Sequence, residues 1–129
     1  MHKIMALDVG TKRIGVALSD YLQVIANPCT CIQREPEQKA IEEIAKENRV
    51  EKIVVGVPYN MDGTLGFQGE NCIEFSQKLI GFDIILEDER LTSEEAEERL
   101  KSRKVDFRKN KGLVDIESAC IILEQYLGK

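Results

Sequence analysis

With 129 residues and a mass of 14.6 kDa, the chain has room for one hydrophobic core and is expected to fold as a single domain over residues 1–129. Its composition, 43% hydrophobic and 32% charged with three prolines and no biased tract, excludes a disordered or fibrous protein. A net charge of -5 opposes general affinity for polyphosphate backbones, but the imbalance is local: Glu87 to Glu98 holds seven acids and one base, Lys101 to Lys111 six bases and one acid.

The apolar run from Lys3 to Leu7 meets Asp8 at once and is too short for a signal peptide or membrane span, so a cytoplasmic chain without membrane contact is expected. Lys3–Leu7 and Ile14–Ser19 read as two strands joined by a short glycine-containing link, a hairpin. A third strand is expected at Val24–Cys31, with Pro28 favouring an edge or a bulge. Glu37–Asn48 carries Ala40, Ile41, Ile44 and Ala45 on one helical stripe. Ile53–Val57 is a continuous apolar run stopped by Pro58, suited to a strand buried on both faces, and Asp83–Glu87 repeats that character. Gly69–Leu79 fits a helix between them, which makes a β-α-β crossover. Thr92, Ser93, Glu94 and Glu95 form a capping-box pattern opening a helix to Lys101, and Val114–Leu127 closes the chain as a helix with Ala119, Ile122, Leu123 and Tyr126 in a stripe. The four cysteines, Cys29, Cys31, Cys72 and Cys120, match no zinc spacing and read as reduced, mostly packed thiols.

Acids stand where three elements end or begin: Asp8, the pair Asp88 and Glu89, and Asp115. Carboxylates gathered from such distant positions repel one another unless cations lie between them, and hard oxygen donors suit Mg²⁺ or Mn²⁺. Each acid also has a plainer role open to it. Asp8 before a glycine can shape a turn, Asp115 can cap a helix, and Asp88 with Glu89 can be a solvated cluster.

Four ordered blocks then resemble one family. The segment LDVGTKRIGVALSD from Leu7 to Asp20, VGVPYNMDGT from Val55 to Thr64, DERLTS from Asp88 to Ser93, and Val114-Asp115 before an apolar helix are similar to the motifs of the YqgF family of Holliday junction resolvase-like proteins and pre-16S rRNA nucleases. The resemblance spans nearly the whole chain. It implies an α/β, RNase H-like fold: a mixed five-stranded sheet, three antiparallel meander strands plus two parallel ones, flanked by helices. It implies Asp8, Glu89 and Asp115 as catalytic, metal-binding carboxylates. Asp88 should point away from Glu89 on an extended segment, and Glu117 should face away from Asp115 on a helix.

Softer expectations concern substrate. Lys12 and Arg13 beside Asp8, Asn60 beyond a buried strand, Arg90, and Arg108, Lys109 and Lys111 in the basic stretch are candidate contacts to nucleic acid, each with a solvated or turn-forming alternative. Phe107 is the lone aromatic of that stretch and the chain has no tryptophan, so phosphate and shape contacts are expected to outweigh base stacking. The expected partner is pre-rRNA in a small-subunit precursor, or branched DNA, met by a monomer or weak homodimer. Two family positions depart: a common arginine is Asn71 here, and a common lysine before the final Val-Asp is Leu113. An Asp-x-Gly-Thr hairpin also resembles the phosphate loop of sugar kinases and actin-like ATPases, but those close nucleotide between two lobes and this length supplies one. A non-catalytic nucleic-acid or ribosome-assembly module is the remaining alternative.

Overall fold

The computed structural model describes residues 1–34, 37–89 and 92–129. Three strands, β1 (Ile4–Val9), β2 (Arg13–Ser19) and β3 (Ala26–Gln33), form an antiparallel meander. They are followed by α1 (Glu37–Glu47), β4 (Lys52–Val57), α2 (Phe67–Ser76), β5 (Asp83–Asp88), α3 (Thr92–Ser102) and α4 (Gly112–Leu127). The sheet order is β3-β2-β1-β4-β5, with β4 parallel to both β1 and β5. The expected architecture is therefore present.

Alternation along β1 divides the core. Met5, Leu7 and Val9 pack with Ile41 and Ala45 of α1 and with Cys72 and Phe75 of α2, while Ile4 and Ala6 pack against Ala119, Ile122 and Leu123 of α4. Of the expected stripes, Ile41 and Ala45 on α1 and Ala119, Ile122 and Leu123 on α4 are buried, while Ala40, Ile44 and Tyr126 are only partly so. Pro28 does sit on an edge strand beside a bulge: Val16 pairs with Thr30 and Ala17 with Pro28, leaving Cys29 without a partner on β2. Cys29 is exposed rather than packed, and all four thiols are free.

Other expectations need correction. The middle helix starts at Phe67 and ends at Ser76, and Leu79 packs in the core from the following turn. β5 is not buried on both faces like β4; it closes the other edge of the sheet, and Leu86 is 44% exposed. Among the described residues no helix is long and apolar enough to cross a membrane.

Candidate active site

The site forms at the C-terminal edge of the parallel strands, on the α4 face of the sheet. Asp8 is the next residue after Ile4 and Ala6 in the set of alternating side chains that face α4, so strand geometry alone sends it there. Its cross-strand partner on β2 is Gly15. A Cβ at Gly15 would lie 2.0 Å from the Asp115 carbonyl oxygen, so the missing side chain lets the first turn of α4 rest directly on β2. Asp115 thereby comes close enough for its charge to act on Asp8.

Glu89 arrives from the other side. It follows β5 directly, its backbone N–H donating to the Val57 carbonyl at 3.1 Å. Gly56 leaves room for it, since a Cβ there would lie 2.9 Å from the Glu89 carboxyl carbon and Oε2. Thr92 stands behind. Its hydroxyl donates to the Glu89 carbonyl oxygen at 2.9 Å and lies 3.3 Å from Oε2, so the residue expected to cap α3 turns back onto Glu89 instead.

Glu89 is buried, 6% exposed, and its carboxyl is hydrogen-bonded to Asp8. Burial is the main cause that lifts both groups, Asp8 to about 6 and Glu89 to about 10; the neighbouring Asp8 charge raises Glu89 further, and the Asp115 charge raises Asp8. Both groups therefore hold a proton more readily than an ordinary carboxyl, Glu89 the more strongly. Asp88 is exposed, as expected of its neighbour on an extended segment, and adds a smaller repulsion on Glu89.

Asp115 lies in the first turn of α4, not at its cap, which is Lys111. Its carboxylate does not join the Asp8–Glu89 pair. Arg13 Nε donates to its Oδ2 at 2.7 Å, and Cys31 Sγ lies 3.9 Å from the same oxygen. Among the described residues, no three His, Cys, Asp or Glu side chains meet as one metal-holding group. Glu117 faces away, buried and paired with Arg103.

Beyond Asp115 opens a cavity of about 380 Å³, lined among others by Arg13, Phe107, Arg108, Lys111 and Glu97. Arg108 also folds onto Asp106, Nε to Oδ1 at 3.2 Å. Lys12 and Lys109 are exposed and do not line this cavity. Asn60 forms part of a turn: its side-chain nitrogen donates to Thr64 Oγ1 at 3.0 Å, and Gly63 follows at φ 88°. Arg90, a candidate substrate contact, lies outside the described residues. Asn71 sits beside Gln68, its Nδ2 3.5 Å from Oε1, and Leu113 is half-buried. Gly15, Gly56, Thr92, Cys31 and Gln68 shape the site without having been singled out from sequence. The two strand glycines were the available signal.

A family model described as RuvX, Holliday junction resolvase, matches residues 2–129. The chain belongs to this family. Relatives include a protein of Crocosphaera subtropica, 47% identical over 98% of this chain and 94% of its own length. Another, from Clostridioides difficile, is 45% identical over 97% of this chain and 93% of its own length. Both carry the name "Putative pre-16S rRNA nuclease". Membership of the RuvX family makes the chain a nuclease, an enzyme that hydrolyses phosphodiester bonds. In fold it is similar to T. thermophilus RuvC in complex with a Holliday junction substrate, with TM-score 0.58 and 12% identity over 98% of this chain and 94% of that one. The fowlpox virus Holliday junction resolvase matches at TM-score 0.54 and 11% identity, over 98% of both chains. These two likenesses place the RuvX chain in the RNase H-like fold.

Proposed function

We propose that the chain is a divalent-metal-dependent endonuclease of one domain, with Asp8, Glu89 and Asp115 as its catalytic carboxylates, and that it acts in 5′-end maturation of pre-16S rRNA. One observation carries the reading: the half-buried Asp8 and the buried Glu89 come together at the edge of the parallel strands, with a third carboxylate close enough to act on Asp8. Such a pair is a poor structural device, because each member raises the cost of ionising the other.

The donor set fits a hard cation. Asp8 and Glu89 present oxygen ligands whose mutual repulsion a cation would relieve, and Asp115 presents another that Arg13 now compensates. Mg²⁺ or Mn²⁺ held by these three residues would supply stabilisation of both the attacking and the leaving oxygen of a phosphodiester displacement. The remaining work belongs to the chain. Thr92 and Gly56 fix the position of Glu89, Gly15 fixes that of Asp115, and Arg13, Arg108 and Lys111 offer cations to a phosphate entering the cavity beside Asp115.

The rRNA assignment is supported by the names of the relatives that match at full length. The family description favours a second reading, cleavage of a four-way DNA junction. In the rRNA reading the enzyme works in the cytoplasm on a small-subunit precursor, as a monomer or weak homodimer. Labelled pre-16S rRNA fragments and synthetic four-way junctions, each incubated with Mn²⁺, Mg²⁺ or chelator, separate the two. Cleavage of the rRNA fragment that chelator and Asp8→Asn both abolish is the expected result; cleavage indifferent to both refutes the metal mechanism, and cleavage of the junction alone selects the second reading.

A further inference from the structure

Arg13, Arg108 and Lys111 lie on the Asp115 side of the site, and the other side of the same edge exposes apolar side chains. There the first turn of α2 is wedged between the end of β1 and the loop after β4. Gln68 Nε2 donates to the carbonyl of Val9, the residue after Asp8, at 2.8 Å. A Cβ on Gly69 would lie 2.4 Å from Leu65 Cδ1 and 3.5 Å from the Pro58 carbonyl oxygen. Phe67, one residue before this anchor, is 85% exposed, and Met61 and Leu65 in the preceding loop are 69% and 37% exposed. A phenyl ring left in water at the first position of a helix adds nothing to the core, and neighbouring apolar side chains enlarge the exposed surface.

We infer that Phe67 is a stacking platform for an unpaired nucleobase of the strand held at the Asp8–Glu89 pair, an inference that rests on the nuclease reading above. The two flanks of the edge then divide the strand between them. Arg13, Arg108 and Lys111 take the phosphates on the α4 side, while the exposed Phe67 ring at the start of α2 takes the face of a base on the opposite side of the sheet. A ring offers every base the same π-face, so this contact selects single-stranded or frayed nucleic acid over continuous duplex without reading sequence. The weak role expected for stacking rested on Phe107, which lines the cation-bearing cavity instead.

The chain has no tryptophan, so Phe67→Trp in an Asp8→Asn background, which prevents cleavage, creates a sole indole reporter. Oligouridylate and a blunt RNA hairpin whose loop is a non-nucleotide linker, so that every base is paired, are titrated in parallel, following indole emission and the anisotropy of end-labelled RNA. Quenching by oligouridylate but not by the hairpin is expected. Phe67→Ala should weaken oligouridylate binding by about fivefold or more, with hairpin affinity unchanged, and Trp but not Leu at this position should restore it. Oligouridylate that binds without quenching the indole, and equally well to Phe67→Ala, overturns the stacking role and leaves the nuclease reading intact. Failure of every RNA to bind, together with failure of the unaltered chain to cleave RNA or DNA, removes the nuclease reading itself and the platform with it.

Discussion

Gly15 and Asp115 touch through backbone alone: the position a Cβ would occupy on Gly15 is 2.0 Å from the Asp115 carbonyl oxygen and 2.8 Å from the Ile116 nitrogen. Backbone cannot swing aside as a side-chain tip can. Gly15→Ala must therefore push the first turn of α4 away from β2, and Asp115 with it. Overpacking of this kind costs roughly 1–3 kcal/mol. Urea denaturation is expected to show a loss of at least that size, with cleavage falling in the fraction that remains folded. Retention of parental stability and rate would mean that α4 has slack at this point.

Gly56→Ala makes a contrasting case. Its Cβ would meet the Cδ1 tip of Ile122 at 2.5 Å and the Glu89 carboxyl at 2.9 Å, both ends of movable side chains. Stability should fall less than for Gly15→Ala, whereas activity should fall steeply, because a displacement of about 1 Å at a reacting group costs up to roughly 100-fold in rate. Comparing denaturation midpoints with single-turnover cleavage rates of the two variants checks the ordering. A Gly56→Ala enzyme that cleaves at the parental rate would show that Glu89 has room to spare.

The raised proton affinity of Asp8 and Glu89 sets a pH dependence. In the unfolded chain these groups titrate near about 3.9 and 4.3, whereas in the fold burial and mutual repulsion move them to about 6 and about 10. Between those values the folded state binds more protons than the unfolded state, so the stability they contribute is full below about pH 4 and is lost as pH rises. With chelator present, the melting temperature should therefore decline from pH 5 to pH 8. Glu89→Gln keeps a donor toward Asp8 without the charge, and is expected to flatten that slope and add roughly 0.5–2 kcal/mol at pH 8 while abolishing cleavage. A less stable Glu89→Gln protein across that range would contradict the protonated pair.

The parts of this architecture legible in the sequence are those set locally. Asp8 was visible because a strand runs into it and a glycine-bearing turn follows, and the α4 stripe of Ala119, Ile122 and Leu123 was visible as helical spacing. β5 misled, since Ile84-Ile85-Leu86 resembles the apolar run of β4 while its edge position comes from the order in which crossovers lay strands down. Thr92 misled in another way: its pattern is that of a helix cap, but its hydroxyl is taken by Glu89. Gly15 and Gly56 stood as interruptions in apolar strands, a sign of close approach, yet nothing local says that α4 and Glu89 are what approach. The partner of Arg13 stands 102 positions away. No spacing rule reaches that far.

That pairing leads to the remaining prediction. Arg13 and Asp115 are both part-exposed, at 31% and 22% of side-chain area, so breaking their ion pair should cost no more than about 1 kcal/mol of stability. Its effect on the site should be larger and opposite for two measurements. The guanidinium occupies the carboxylate that a divalent cation would use, so Arg13→Gln is expected to tighten Mn²⁺ binding by up to roughly fivefold in calorimetry, the equivalent of that same pair energy. The cavity beside Asp115 would at the same time lose one of its cations, and cleavage at saturating Mn²⁺ should fall mainly through a higher KM. Arg13→Lys keeps the charge but not the planar fork, and should fall between the two. Unchanged Mn²⁺ affinity in Arg13→Gln would show that the guanidinium does not compete for Asp115, and an unchanged KM that it does not hold substrate.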